Sequence, residues 1–433
     1  MREITRNFDD LGRRQFIAQA AKACLGVGLL PMLGDHVNTP LNALTPGVRP
    51  ATARYVIYLN MAGGMTHLDT FDPKPNNPKI QGPTKAVQTS ADGVILSENF
   101  AKTAAHMHNA AVIRSVSTNQ GAHEQAGYLM HTSYVKRGTI VHPTFGSWVA
   151  KMSGQINRTI PMNVRIGGGS NELGAGFLES QFGPLPIGSP KAGLANSKMA
   201  DYLNEDRFGR RLAMAEKMNT KFVGRFPQKK VRAYTDLYKD AVKLMRSEDL
   251  KAFDIAQEPK NIQEFYGESN FAQGCLLARR LIENQVRYVE VTRGGWDTHD
   301  ENFDRVAENC MEVDQALSAL LYDLEHRGLL KETLVVLTSE FVRSPDINPR
   351  NGRDHWPKAF SAFMAGGAIK GGTAYGKSDE NGKEVAENPV KPPDLNATIA
   401  YALGLPLNEI QYSPSGRPFT VAHKGEPILD ILA

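Results

Sequence analysis

The chain has 433 residues, of which 41% are hydrophobic and 22% charged, and a formal net charge of +4. These values exclude a mostly disordered chain, and the length suits one large α/β domain or two ordinary domains. The small net charge gives no reason to expect a nucleic-acid-binding surface, and three cysteines are too few for a scaffold built on disulfides.

The N-terminus predicts an export signal. Arg13 and Arg14 precede a weakly apolar stretch, residues 16–33, and the pair resembles the twin-arginine motif. The stretch is too polar for a stable membrane span, which needs about 20 apolar residues, but it suits the apolar part of an export signal. We interpret residues 1–53 as signal and linker, handled by the twin-arginine translocase, and expect a periplasmic or extracellular mature protein without a membrane span. The alternative is a surface helix with a chance pair of arginines.

Short β-rich apolar runs alternate with helical patterns in the rest of the chain. The runs predict strands at 55–59, 111–116, 162–166, 287–292, 333–338 and 360–364, and apolar residues at 3–4 spacing predict helices at 271–284 and 303–327. Alternating strands and helices indicate a mostly parallel sheet with helices on both faces. We therefore predict one α/β domain over 54–433. Its polar, helix-rich stretch 167–263 is interpreted as an inserted cap rather than a separate domain.

Acidic residues and histidines follow the predicted strands. In a parallel sheet the loops at the carboxyl ends of the strands carry the chemistry. Four of the 11 histidines fall in such loops beside a carboxylate, namely His67, His123, His299 and His355. A single His beside an Asp is more often a local hydrogen-bonded cap than a ligand, but four such pairs at one sheet edge favour a metal site.

Mixed His and carboxylate ligands suit Zn²⁺ or Mn²⁺, whereas carboxylates alone suit Mg²⁺ or Ca²⁺. The sequence therefore predicts a divalent metal cofactor whose identity among Zn, Mn, Mg and Ca stays open.

Several unusual strings, in order along nearly the whole chain, resemble the uncharacterised family called domain of unknown function 1501. Besides the leader, they lie at 63–75, 295–299, 338–341, 352–357 and 366–372. That family looks like a branch of the alkaline-phosphatase and sulfatase superfamily. The implied fold is a three-layer α/β sandwich with a mostly parallel central sheet and a helix-rich insertion. The segment from Asp394, a candidate N-cap, to Gly404, a candidate helix stop, looks like that superfamily's closing helix. Val342 and Ser344 depart from the family pattern.

By this resemblance, one or two metal ions would be held by Asp, Glu and His after the strands. The implied ligands are Asp297, His299, Glu340, Asp354 and His355, with Asp69 or His67 from the first loop and His123 as a further candidate. Thr118, after the second strand and before a helix, is the candidate catalytic nucleophile. Its alternative role is to cap that helix.

The resemblance implies an exported metal-dependent hydrolase of phosphate or sulfate esters, acting on a small-molecule or polysaccharide ester. The alternative is a non-catalytic, metal-stabilised binding or envelope protein on the same fold. A structural partner of another exported protein is a third hypothesis, suggested only by the insertion. Two patterns are rejected. Residues 275–279 lack the proline of a formylglycine sulfatase motif, and 371–378 match the P-loop expression without a following helix.

Overall fold

The computed structural model describes residues 52–168, 173–195, 197, 202, 204–226 and 240–433. The twin-arginine motif and the apolar stretch after it lie outside the described residues, as does part of the predicted insertion. Within the described ranges, no helix combines the length and the apolar character needed to cross a bilayer.

Sixteen strands are found in the described ranges, eight of them in one central sheet. In chain order they are β1 Tyr55–Met61, β2 Ala86–Gln88, β3 Ile95–Ser97, β4 Ala110–Val116, β5 Asn163–Ile166, β6 Leu185–Ile187, β7 Tyr288–Arg293, β8 Thr333–Thr338, β9 Val342–Ile347, β10 Arg353–Trp356, β11 Phe360–Gly366, β12 Thr373–Tyr375, β13 Lys377–Ser378, β14 Val385–Glu387, β15 Gln411–Tyr412 and β16 Pro418–Phe419. The central sheet has the order β12-β4-β11-β8-β1-β7-β5-β6.

Every neighbouring pair of the central sheet is parallel except those formed by β11, which is antiparallel to β4 and β8. The reason lies in the connection from β8 to β11. It consists of the β9–β10 hairpin, with no helix to carry the chain back to the other edge, and antiparallel neighbours need no such crossover. The hairpin therefore lies at the carboxyl edge of the parallel strands.

Helices cover both faces of this sheet. The α-helices with both ends in the described part of the chain are α1 Pro78–Gln81, α2 Ala101–Ala104, α3 His123–Thr132, α4 Phe145–Ser153, α5 Glu205–Arg225, α6 Lys260–Tyr266, α7 Asn270–Glu283, α8 Asn302–His326 and α9 Pro392–Ala402. Ile57 and Leu59 of β1 pack in one core cluster with α7 and α8, whereas Val56 and Tyr58 pack in a second cluster with α4 and α9. Successive side chains of a strand point to opposite faces, so one short strand contributes to both cores.

The structure confirms the predicted α/β fold with a mostly parallel central sheet. All six predicted strands are present with bounds shifted by at most two residues, and the two predicted helices appear as α7 and α8. The edge strands β6 and β12 were not predicted, because three residues are too few to show a pattern. No helix follows 371–378, which fall partly in β12 and β13.

Two predicted details concern helices. Asp394 is not the N-cap of α9 but its third residue, and its carboxylate accepts a hydrogen bond from the N–H of the N-cap residue Lys391 at 2.8 Å. Gly404 lies just past the helix end, as predicted, with φ +67°. The predicted cap at 167–263 stays a prediction. Its strand β6 extends the central sheet, and Phe208 is the only buried residue of α5.

Candidate metal centre

Four segments meet at the carboxyl edge of the sheet. His123 begins α3 after β4, and the loop after β7 carries Asp297 and His299. Glu340 follows β8 directly. Asp354 and His355 lie on β10, which the β9–β10 hairpin places at the same edge. The structure thus brings together six of the eight residues predicted as metal ligands.

The centre of this cluster is the Oδ1 atom of Asp297. The Nε2 atom of His299 lies 3.1 Å from it, that of His355 lies 3.3 Å away, and that of His123 lies 3.4 Å away. Three imidazole rings from three segments therefore direct the same nitrogen toward one carboxylate oxygen.

The opposite nitrogen of each ring is held by an oxygen that can only accept a hydrogen bond. Glu340 Oε1 lies 2.7 Å from His123 Nδ1, Asp354 Oδ1 lies 2.8 Å from His299 Nδ1, and the Gly121 carbonyl lies 2.9 Å from His355 Nδ1. Each Nδ1 must therefore carry a proton, which leaves the lone pair of a neutral ring on Nε2. Metal-binding histidines are oriented in this way in proteins.

The Nε2 atoms lack the partners that such lone pairs require. That of His123 is buried and has no hydrogen-bond partner in the described part of the chain. Those of His299 and His355 are 3.1 Å apart, a distance at which two lone pairs repel each other unless a cation binds both. Ligand atoms of a tetrahedral site with bonds of about 2.0 Å lie roughly 3.3 Å apart. The distances from Asp297 Oδ1 to the three Nε2 atoms, and that between the Nε2 atoms of His299 and His355, are close to this value. The donor set therefore fits a metal ion.

The charges of the cluster agree with this fit. Three carboxylates, those of Asp297, Glu340 and Asp354, surround it with one guanidinium, that of Arg343, which leaves a formal charge of −2 when the histidines are neutral. A divalent cation balances this charge. His123, Asp297 and His355 offer ligand atoms that all lie within 4.8 Å of one another.

The pKa shifts point in the same direction. Burial by itself raises the pKa of Asp297, but the charges of Arg343, His123 and His299 outweigh it and lower the pKa to about 2. The hydrogen bond to Glu340 raises the pKa of His123 above its usual value, against the effect of burial. Both shifts show that the negative surroundings favour a positive charge beside the ionised Asp297, and this charge is either a proton on the imidazole or a bound cation that replaces it.

Glu340 and Asp354 were predicted as ligands. In the structure Glu340 contacts the Nδ1 atom of His123, and Asp354 contacts the Nδ1 atom of His299. The carboxylate of Glu340 is buried and also accepts hydrogen bonds from the Gly63 N–H at 2.9 Å and the Ser339 hydroxyl at 3.1 Å. The carboxylate of Asp354 contacts His299 through the same oxygen that faces Asn348. Both acids orient histidines, and we leave them out of the proposed ligand set.

Arg343 was not predicted as a site residue, and it is central to the geometry. Its fully buried guanidinium donates from Nε to the Gly64 carbonyl at 3.1 Å and from Nη2 to the Gly63 carbonyl and to Asp297 Oδ1. Gly63 has φ +121°, and a Cβ there would lie 2.7 Å from the backbone nitrogen of Asp297. Glycine is thus required for the first loop to approach Asp297 closely. A lone arginine after Glu340 carried no signal in the sequence.

A family model described as "Protein of unknown function (DUF1501)" matches residues 53–432, a range that includes all sixteen strands and the whole cluster. The chain belongs to the DUF1501 family. This confirms the resemblance carried by the strings in the first loop and after β7 and β8. No curated protein matches this DUF1501 chain.

Among solved structures, this DUF1501 protein is similar to the lipoteichoic acid synthase LtaP from Listeria monocytogenes, at 9% identity over 91% of this chain and 79% of that chain, with a TM-score of 0.39. It is also similar to the PsFucS1 sulfatase from Pseudoalteromonas sp., at 12% identity over 82% and 68%, with a TM-score of 0.37. The alkaline phosphatase of the Antarctic bacterium TAB5 matches at 10% identity over 82% and 99%, with a TM-score of 0.34. TM-scores this low carry neither an activity nor a substrate to this chain.

Asp69 and His67 of the DUF1501 first loop are not brought to the cluster. The fully buried carboxylate of Asp69 lies 3.3 Å from Arg353 Nε and accepts hydrogen bonds from Asn302 at 3.0 Å and Thr84 at 2.9 Å. His67 is buried with its Nε2 2.9 Å from the Gly382 carbonyl. Asp69 neutralises a buried arginine, so its oxygens are not free for a metal ion. We therefore exclude both residues from the proposed ligands.

His67 predicts acid destabilisation of the DUF1501 domain. Burial lowers the pKa of His67 to about 4, so between pH 6.5 and 4 the unfolded chain binds a proton that the folded chain does not. The free energy of unfolding is therefore highest near pH 7 and above, and it falls by about 2 kcal/mol between pH 7 and 5. His67→Gln keeps a donor for Gly382, and we expect urea unfolding of this variant to lose less stability over that interval. An equal loss in both proteins would contradict this assignment.

Thr118 does not cap the helix that follows it. The N-cap of α3 is Ala122, whose side chain makes no capping bond, and the Thr118 hydroxyl accepts a hydrogen bond from the Gln120 N–H at 3.2 Å. The capping alternative is thus wrong. Thr118 lines a cavity whose lining includes none of the cluster residues, and its role as nucleophile stays a prediction.

Proposed function

We propose that this DUF1501 protein is an exported metal-dependent hydrolase of phosphate or sulfate esters. One observation carries the proposal. Three Nε2 atoms surround Asp297 Oδ1 within 3.4 Å, and the opposite nitrogen of each ring is held by an acceptor. Such prearrangement of three histidines costs stability unless a cation is bound, because their lone pairs and the surrounding negative charge are otherwise uncompensated.

His123, His299 and His355, with Asp297, would hold the metal. This mixed nitrogen and oxygen set suits Zn²⁺ or Mn²⁺ better than Ca²⁺. A bound divalent ion would supply Lewis-acid stabilisation of the negative charge that develops on a phosphoryl or sulfuryl oxygen.

The chain's own residues hold this arrangement. Glu340 and Asp354 keep two imidazole rings in one tautomer, and Arg343 holds Asp297 in its ionised form. The Asp297 side chain is 49% exposed and that of His299 34%, so an ester in solvent can reach the centre. The Thr118 hydroxyl, whose oxygen accepts from Gln120, retains its own proton for donation and is proposed as the nucleophile.

Export is part of the proposal and depends on the leader. Arg13 and Arg14, with the apolar stretch after them, support recognition by the twin-arginine translocase. That route delivers proteins already folded, which fits a metal loaded before export. We propose a periplasmic or extracellular location for the mature protein.

A second candidate is a non-catalytic, metal-stabilised binding or envelope protein on the same fold. The observation in its favour is the position of Thr118, which lines a cavity apart from the cluster residues. Such a protein would bind the metal as tightly and hydrolyse nothing.

The deciding experiment measures metal and turnover on the same purified mature protein. We expect elemental analysis to find about one divalent transition-metal ion per chain, and expect hydrolysis of p-nitrophenyl phosphate, bis-p-nitrophenyl phosphate or p-nitrophenyl sulfate that chelator abolishes and metal restores. Bound metal with no turnover across the panel would favour the second candidate. Absence of metal from protein purified without chelator would overturn both.

A further inference from the structure

A cavity of about 630 Å³ opens at the loop after β4, and Thr118 is the one residue of its lining to which the proposed function gives a role. Gln120 lines it, and the next residue, Gly121, holds His355 through its carbonyl. Adjacent residues of the loop after β4 therefore contact the cavity and a histidine of the cluster. Its volume is that of a site for a small molecule or a sugar unit.

The charged residues of the lining are all basic. Arg137, Lys391 and Arg417 line the cavity, and no Asp or Glu does. All three are exposed, and none of their side chains has a carboxylate within 4.0 Å in the described part of the chain. The nearby acid Asp394 is already engaged with the backbone N–H groups of Lys391 and Glu426. Three unpaired cations around one concave surface produce a positive potential that attracts anions.

The same lining contains fixed aromatic rings. Tyr134 and His142 stack at 4.4 Å between centroids and 4° between planes, and Phe419 meets both rings edge-on at 5.4 and 5.1 Å. The Tyr134 hydroxyl is held by the N–H and the carbonyl of Thr420. Tyr134 and His142 are buried and hold Phe419, whose half-buried ring offers an apolar surface at little cost in conformational entropy.

The electrostatics of the rings agree with the basic lining. Burial, with the charges of Arg137 and His423, lowers the pKa of His142 to about 4. Burial, with the charges of Lys424 and Arg137, also lowers the pKa of His423. Both shifts favour the neutral imidazole near pH 7, so the exposed Arg137, Lys391 and Arg417 carry the positive charge of the lining.

We propose that this cavity binds a sugar unit carrying a sulfate or phosphate group, with the anion on Arg137, Lys391 and Arg417 and the sugar ring against Phe419. The inference rests on the proposed function. The bound unit is a neighbour, in an oligomeric substrate, of the one whose ester is cleaved at the metal centre. The substrate class is then an anionic oligosaccharide rather than a small monoester. Guanidinium groups recognise the tetrahedral oxyanions of sulfate and phosphate through paired hydrogen bonds.

The test is isothermal titration calorimetry on the metal-loaded mature protein with three probes: maltohexaose bearing sulfate esters, maltohexaose bearing phosphate esters, and unmodified maltohexaose. We expect one charged probe to bind and the unmodified probe not to bind, with an affinity that falls steeply as salt is raised. The preferred charged probe identifies the anion. Tight binding of unmodified maltohexaose would overturn the assignment of an anionic sugar.

The matched variants are Arg137→Glu/Arg417→Glu at the cavity and Lys331→Glu/Lys370→Glu as control. The control has the same change in charge, and its two exposed lysines lie at the opposite edge of the sheet, before β8 and after β11. We expect at least a 10-fold loss of affinity for the charged probe in the cavity variant and less than 2-fold in the control. Equal affinity in both would overturn the proposal. If the Glu variant fails to fold, Arg137→Gln/Arg417→Gln replaces it.

Turnover separates this proposal from the proposed function. The cavity variant is expected to keep kcat for a small chromogenic ester and its metal content, while KM for the charged oligosaccharide rises at least 10-fold. If the wild-type protein hydrolyses no ester, the proposed function fails, whereas the calorimetry still decides whether the cavity binds an anionic sugar.

Discussion

Replacing Asp297 by Ala is expected to remove the metal and to reduce ester hydrolysis by roughly 1,000-fold, an effect of about 4 kcal/mol on the barrier. Asp297 Oδ1 is the atom around which the three Nε2 atoms are arranged, and its loss also leaves the Arg343 guanidinium unneutralised. His355→Ala is expected to act similarly, because it removes one of two nitrogens that lie 3.1 Å apart. Elemental analysis and steady-state kinetics measure both effects.

Two further variants serve for comparison, one with a smaller expected effect and one as a control. Asp354→Asn keeps an acceptor for His299 Nδ1 but loses the charge, so its metal affinity is expected to fall only about 10- to 100-fold. Asp300→Asn alters an exposed acid in the loop that carries Asp297. Asp300 is paired with Arg305 and lies outside the cluster, so this variant is expected to change neither metal content nor rate. Full metal content in Asp297→Ala and His355→Ala would refute the proposed centre.

Replacing Arg353 by Met is expected to destabilise the fold by about 3–5 kcal/mol. Arg353 is fully buried, with its Nε 3.3 Å from Asp69 and its other nitrogens donating to the carbonyls of Ser344 and Ile80 at 3.1 and 2.8 Å. Methionine fills much of the volume but leaves the buried carboxylate of Asp69 without its cation. Urea unfolding of the metal-free protein measures the loss without any contribution from bound metal.

The controls for Arg353 also examine the role of Asp69. Arg350→Met removes an exposed arginine from the same hairpin and is expected to change stability by less than about 0.5 kcal/mol. Arg353→Met/Asp69→Asn removes both charges and is expected to be more stable than Arg353→Met alone. Asp69→Asn is expected to destabilise the protein while its metal content stays unchanged. A loss of metal in that variant would return Asp69 to the ligand set.

The outer arrangement of the site follows from local sequence patterns. Strands such as β1 and β8 are nearly continuous apolar runs because both of their faces are buried, so short windows of sequence reveal them. Once those strands are taken as parallel, their carboxyl ends must share one edge. Asp297 and His299 follow β7, and His355 lies in the connection that follows β8. These positions suffice to predict that the three side chains lie near one another.

The distinction between a ligand and an orienting acid does not follow from such patterns. Glu340 and Asp354 have the residue types and the positions of ligands, yet both face the outer nitrogens of the rings. Asp69 matches the same pattern, but its carboxylate pairs with the buried guanidinium of Arg353 instead. Which oxygen faces which nitrogen depends on loop conformations, and these are set by contacts more than 200 positions apart in sequence, such as that between Glu340 and His123.

Local patterns along the chain therefore establish the family resemblance, the six principal strands and the edge of the sheet where acids and histidines gather, because these depend on burial and on strand direction. The roles of residues within that edge, the part played by Arg343 and the basic aromatic cavity emerge only in three dimensions. Each of these is built by residues from distant segments, and their approach depends on packing that no local pattern records.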